Sequence, residues 1–449
     1  MSPRRAPGPV VGARISSQLS KTIPFRGLFK NILRLGSGEL LSRLCGIATA
    51  VLLGHRYGVV ILGVYALAQG LNQYTQPLID FGLRQVGARL LALYPHAASE
   101  IVVRVQRRRL GTAVLVLPLI AIYAASAALP AELKIFLFAF SAVGALYAIS
   151  LDWVAWGQER LYLLGLARSV VPLSILIFLA IGILTLGRSP GQRVLWWAVA
   201  GNAFGYLLQG AIFWTWWRRQ PSRPVCGETL GAIRESLAWR RTRIMGLAWL
   251  CNLAFNTVDV LMLGLMSNPE QIGLYGAAYR VLNQVLVTYY LLTQVLYPRF
   301  ARHGVEDRAR MLRSRILLPV LGTGILLAVV VSVSRRMVLT IMFGHQFLAA
   351  CPLLLLLAWS IPLDFMTSYL SNAFIAWGME KKVLLCTGIG AASNIVLNLA
   401  LIPRYGARGA AINTLLSYAI FLTTLCFVGK TVKQLAPATQ LQMDAVACP

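Results

Sequence analysis

Apolar stretches of about twenty residues recur along the whole chain, separated by charged or Pro/Gly-rich joints, and this spacing leaves few folds open. A bilayer core about 30 Å thick takes roughly 20 apolar residues per helix, because the helix rises about 1.5 Å per residue. Twelve such spans are read, at 35–55, 59–83, 110–129, 133–156, 161–186, 194–217, 244–266, 271–297, 316–334, 347–377, 381–402 and 407–429. The span at 347–377 is long enough to be tilted or broken at Pro362. Of the 449 residues 57% are hydrophobic and only 13% charged, with a mean hydropathy of +0.67. Soluble domains carry about twice that charge, so the expected fold is an all-α integral membrane protein of about twelve transmembrane helices.

The charge that remains is lopsided: 42 Lys and Arg face 15 Asp and Glu, a net +27. Thirty of the cations fall in the N-terminal tail, every second joint and the C-terminal tail, and 8 in the intervening joints. Cytoplasmic loops retain positive charge during insertion, so both termini are expected in the cytoplasm and the excess is a topological signal. Anionic headgroups on that side attract the same residues, and no nucleic-acid partner is needed. The first 38 residues lack any acid and are rich in Arg and Ser, which superficially resembles an organellar transit peptide. A basic cytoplasmic tail with an interfacial stretch near Ile23 to Phe29 already follows from the charge rule. The seven cysteines form no CxxC pair and sit mostly in apolar runs, where they read as small packing residues.

Sliding the chain against itself reveals a repeat. At an offset of 210, Leu53, Gly54, Gly63, Tyr65 and Ala68 fall on Leu263, Gly264, Gly273, Tyr275 and Ala278. At an offset of 221, Ser150, Ala155, Trp156, Gly157 and Glu159 fall on Ser371, Ala376, Trp377, Gly378 and Glu380. Two homologous six-helix lobes follow, and an even span count makes both enter the membrane in the same direction. Parallel repeats of this kind suit transporters that rock two halves about a central site. The expected division is a basic tail at 1–31, an N-lobe at 32–217, an inter-lobe linker at 218–243, a C-lobe at 244–430 and a tail at 431–449.

Polar groups inside spans are costly, so they face a bundle interior or a watery cavity. Gln69, Asn72, Gln73, Gln76 and Asp80 form one helical stripe in the second span. The seventh span carries Asn252, Asn256 and Asp259, the eighth Arg280, Asn283, Gln284 and Thr288, and the eleventh Thr387, Asn394 and Asn398. Any single amide here serves equally as an interhelical hydrogen bond, worth about 0.6 kcal/mol; the set as a whole points to a cavity. Glu39 with Arg43, and Asp80 with Arg84, are acid-then-base pairs at i, i+4. Two readings stand for them: mutual neutralisation within the helix, or arginines offered, with Arg280, to an anionic diphosphate headgroup. Asp152 and Asp259 have no basic partner within a helical turn, which suggests cation or proton binding, with Asn256 behind Asp259. Asp364, close to Pro362, is explained by a water-solvated kink.

The sequence has no GxxxxGK[ST] phosphate loop. Gly388 and Gly390 lie inside an apolar helix, where close helix packing is their expected role. The four histidines, His55, His96, His303 and His345, are scattered without a partner at metal or nucleophile spacing, so no catalytic residue, metal site or cofactor is expected.

Leu41-Ser42-Arg43-Leu44 with Gly46, Gly63-Val64-Tyr65-Ala66-Leu67-Ala68 and Asp80-Phe81-Gly82-Leu83 resemble the N-terminal lobe of polysaccharide-biosynthesis flippases of the multidrug/oligosaccharidyl-lipid/polysaccharide transporter superfamily. Asp259 to Gly264, Gly273 to Arg280 with Pro298, and Asn394 to Pro403 with Tyr405-Gly406-Ala407 and Gly409-Ala410-Ala411 resemble the second lobe, so the likeness runs over about 28–430. It implies a V-shaped, alternating-access bundle moving an undecaprenyl-diphosphate-linked oligosaccharide across a bacterial inner membrane for O-antigen, capsule or exopolysaccharide synthesis. A polysaccharide polymerase and chain-length proteins would be its further partners. Related flippases for the peptidoglycan precursor carry an arginine in a Ser-Arg context that maps onto Arg43. Their sodium site between the seventh and eleventh spans points to Asp259 and Asn394, so Na⁺ or H⁺ coupling is implied. Two departures favour the polysaccharide branch: twelve spans in place of fourteen, and an incomplete set of acidic sodium ligands. The rival reading is a cation-coupled multidrug or toxin exporter of the same superfamily. A glycan polymerase or ligase would need a large outer loop, and every outer joint is short; a structural scaffold is disfavoured by the buried charges.

Overall fold

The structure is a computed structural model that describes residues 25–187, 191–220, 231, 233, 235, 237, 239–302 and 317–446. Among the described residues every regular element is helical: α1 (Phe25–Asp80), α2 (Leu83–Leu93), α3 (Ala98–Ser126), α4 (Ala131–Gly144), α5 (Asp152–Gly157), α6 (Leu161–Leu186), α7 (Gly191–Arg218), α8 (Trp239–Met266), α9 (Pro269–Arg302), α10 (Leu317–Phe343), α11 (Cys351–Ala358), α12 (Ser360–Ala376), α13 (Glu380–Tyr405) and α14 (Ala407–Val446). Nine of the described helical runs are long and apolar enough to cross a membrane. One of these, Gly36–Asp80, is two spans joined at Gly58, whose φ of 82° only glycine adopts easily. With the more polar α7 and α9, all twelve expected spans coincide with helices. Side chains such as Leu184 and Val333, 81% and 78% exposed, form the surface that meets lipid.

Several edges differ from expectation. The ninth span runs on through Arg335 and Arg336 to Phe343, because nothing stops the helix before Gly344 at φ 96°. The tenth begins as a 3-10 turn at His345–Ala350 and is interrupted at Trp359 rather than at Pro362. Proline is harmless in the first turn of α12, where its missing N–H costs no hydrogen bond. The fourth span is discontinuous: α4 gives way to a 3-10 turn at Ala145–Ile149 before α5. Of the expected linker and tails, 1–24, most of 221–238 and 447–449 lie outside the described residues, while 431–446 continues α14 as helix.

The repeat is visible in how the lobes meet at the end opposite the termini. Gly63 lies against Pro269 and Gly273, and Gly273 against Val59; a Cβ on Gly273 would sit 2.1 Å from the Val59 carbonyl. These are the glycines matched at an offset of 210, so the two lobes touch through equivalent positions. The lobes also exchange equivalent hydrogen bonds: Ala128 N donates to Gly264 O at 2.9 Å, and Gln346 Nε2 donates to Gly54 O at 2.7 Å. Small residues allow this approach, and paired backbone groups make it tolerable in a medium without water. At the termini end, the Phe81–Gly82 corner, with φ of 35° and 84°, packs on α8 at Thr242 and Gly246.

Candidate functional site

Two cavities adjoin in the bundle. The larger, about 630 Å³, is walled by the second-span stripe Gln69, Asn72, Gln73, Gln76 and Asp80, together with Glu39, Arg84, Asp152, Arg168, Tyr147, Asn202, Tyr206 and Trp249. The smaller, about 210 Å³, lies between the lobes and is lined by Arg43 and Gln69 on one side and Tyr279, Arg280, Asn283 and Gln284 on the other. Gln69 and Gln73 border both. The helical stripe therefore does face a cavity, because its period matches one face of α1 beyond Gly58.

The charges pair differently from the in-helix expectation. Glu39 and Arg43 do form the i, i+4 pair, at 3.0 Å, but Glu39 also binds Arg168 of α6 at 2.9 Å. Asp80 does not pair with Arg84. The helix ends at Asp80, the corner at Phe81 and Gly82 redirects the chain, and the two residues fall on separate helices. Asp80 instead pairs with Arg109 at 2.7 Å and accepts a hydrogen bond from Tyr147 at 3.0 Å. Arg84 pairs with Asp152 at 3.0 Å and lies over the Trp156 ring, so Asp152 is not the unpartnered acid its sequence surroundings suggested. A residue 68 positions away in sequence supplies the counter-charge, which local spacing cannot reveal.

Arg109, counted in sequence as a joint residue, is 0% exposed. It explains how the broken fourth span survives. Its guanidinium donates to the Ser150 carbonyl at 2.5 Å and the Tyr147 carbonyl at 3.2 Å, and Gln106 donates to the Ala148 carbonyl. Non-helical backbone at membrane depth requires such partners. Gln106 and Arg109 lie one helical turn apart with Arg107 and Arg108 between them, so in sequence they read as part of a basic joint and nothing local marked them as buried.

Arg280 donates to Gln69 Oε1 at 2.6 Å and lies over the Tyr65 ring, and among the described residues no carboxylate pairs with it. It reaches across from the C-lobe to the N-lobe stripe, joining the two expected polar sets at one place.

Asp259, 2% exposed, is ringed by neutral donors in the C-lobe. Asn398 Nδ2 donates to it at 2.5 Å, Tyr275 OH at 2.8 Å and Thr414 Oγ1 at 3.1 Å. Asn394 stands one shell back, accepting from Asn398 at 2.8 Å. Asn256 is not part of this ring: its amide donates to the Asn252 carbonyl and its Oδ1 accepts from Tyr418. The i, i+3 step turns it toward α14, near Asp364, which is bonded by Ser368. Tyr275 was legible only as a repeat position matching Tyr65, and Thr414 carried no sequence signal, since Ser and Thr hydroxyls in spans commonly bond their own helix, as Thr414 also does to the Ala410 carbonyl.

Comparison with known proteins adds to this geometry. A curated protein of Haloferax volcanii, described as a probable low-salt glycan biosynthesis flippase, is 22% identical over 169 residues, 37% of this chain and 36% of that protein. The chain thus spans about a third of the length of the curated relative it matches. Among solved structures, an inward-facing multidrug resistance MATE family transporter of the MOP superfamily superposes with a TM-score of 0.71 at 13% identity, over 90% of this chain and 99% of that one. The lipid II flippase MurJ, inward closed, gives 0.53 at 14% identity over 92% and 93%. These neighbours share the V-shaped fold, and the matches are to transporters and flippases rather than to catalytic enzymes. The family model described as "Polysaccharide biosynthesis protein" matches residues 28–303, more than half the chain. This multi-pass membrane protein belongs to the polysaccharide biosynthesis protein family.

Proposed function

We propose that the chain is a secondary transporter that flips undecaprenyl-diphosphate-linked oligosaccharide repeat units across the bacterial inner membrane for surface polysaccharide synthesis. The observation that carries this reading is that Arg43 and Arg280, from opposite lobes, share one cavity that opens onto a second, amide-lined one. Planar guanidinium groups suit a diphosphate, and the amides suit sugar hydroxyls. The prenyl chain stays in lipid along the exposed Leu40, Leu41 and Leu44 face of the first span. With both termini cytoplasmic, the glycine-packed end faces outward and the cavities load from the cytoplasm. Arg84, held by Asp152, stands at that loading mouth.

Coupling to Na⁺ or H⁺ belongs to Asp259 in this reading, with the Tyr275 and Thr414 hydroxyl oxygens beside it and Asn394 Oδ1 behind the Asn398 amide. A bound cation biases one cavity state only if the site differs in affinity between the two states, and the ring drawn from four helices would change shape as they rock. The first test is deletion of the gene, with lipid-linked glycans read by mass spectrometry and surface polymer measured in the same cells. Intact lipid-linked repeats accumulate and surface polymer is lost, and complementation by Arg280→Ala fails to restore either. The fold likeness to multidrug transporters keeps the exporter reading as the rival. Unchanged lipid intermediates with new drug sensitivity would support it, although a cavity edged by arginines repels cationic drugs.

A further inference from the structure

We infer that this transporter selects glycans with uncharged sugars, and discriminates against repeat units bearing uronic or other acidic residues. The inference rests on the flippase reading above and follows from the charge balance of the two cavities. Asp152 neutralises Arg84 and Asp80 neutralises Arg109, so neither arginine offers a free charge to the larger cavity. Glu39 alone faces two cations, Arg43 and Arg168. Arg280 has no carboxylate partner among the described residues. The surplus is thus two positive charges, one shared by the Glu39 cluster and one on Arg280. A diphosphate esterified at both ends carries two negative charges, and it uses up that surplus. Nothing remains to compensate a carboxylate carried into the larger cavity, where it would meet Asp80, Asp152 and Glu39.

The wall chemistry points the same way. Asn202 donates through Nδ2 to the Phe140 carbonyl at 3.1 Å, which fixes its amide and leaves Oδ1 buried without a donor. Gln85 Oε1 is equally unpartnered, and both residues line the larger cavity. Asn72, Gln73, Gln76 and Gln209 line the same cavity, and neutral amides of this kind pair with sugar hydroxyl and acetamido groups but bring no counter-charge to a carboxylate. A site gains selectivity by what it leaves unpaired in the wrong ligand.

The test uses the full chain in lipid nanodiscs with three probes: undecaprenyl diphosphate, the same lipid bearing N-acetylglucosamine, and the same lipid bearing glucuronic acid. The unmodified protein binds the N-acetylglucosamine probe about tenfold or more tighter than the glucuronic acid probe. Glu39→Gln raises the local surplus by one charge and narrows that ratio. Gln73→Lys, at an exposed position bordering both cavities, does the same without touching an ion pair. A ratio near one in the unmodified protein, or a ratio that neither well-folded variant narrows, overturns the inference while leaving the flippase reading intact if the probes bind. Failure of all three probes to bind overturns the flippase reading and this inference together.

Discussion

At the scale of single residues, two acids of the same type do different work because their surroundings differ. Asp80 is held by a buried cation, and removing one partner of such a pair leaves the other charge stranded at a cost of about 3–5 kcal/mol. Arg109→Met should therefore lower the melting temperature of the purified protein strongly, and adding Asp80→Asn should recover part of the loss. A double-mutant cycle measures that coupling. Asp259 has only neutral donors around it, so Asp259→Asn should leave folding nearly intact and abolish the ion dependence of transport in proteoliposomes. Full ion-dependent flipping by that variant would remove Asp259 from the coupling. The acids themselves were legible in the sequence, since a carboxylate in an apolar run is conspicuous. Their partners were not: Arg109 was counted among joint residues, and Thr414 carries no charge to attract notice.

At the scale of elements, span breaks and glycine contacts decide how the helices can move. The crossing of Gly63 on Gly273 closes one end of the bundle through backbone contact, so Gly273→Ala cannot fit without separating the helices. Spin labels at Arg56 and His345 should then report a longer inter-lobe distance, with transport reduced at unchanged expression. At the other end, Gly82 has φ of 84° and its Cβ position lies 2.4 Å from the Thr242 carbonyl. Gly82→Ala should cost about 1 kcal/mol from backbone strain alone, and more from the lost fit against α8, read as a lower melting temperature. The glycines at matching offsets were visible as letters. Their contact with each other was not, because an internal repeat states that two units are alike and not how they dock.

At the scale of the whole molecule, twelve spans and two like lobes describe a bundle in which neither lobe alone builds the site. Arg280 of the C-lobe reaches Gln69 of the N-lobe, and a chain split at the linker and co-expressed as two halves should bind undecaprenyl diphosphate only when both halves are present. What the sequence by itself determined is the helical class, the span positions, the parallel repeat and the polar stripe. Each follows from hydropathy and helical period, which are local and survive any arrangement of the helices. Only the tertiary structure decided which charges are neutralised, where the fourth span breaks and which donors ring Asp259. Those depend on pairs drawn from distant helices, and a Coulomb or hydrogen-bond partner is set by distance in space, which spacing along the chain does not encode.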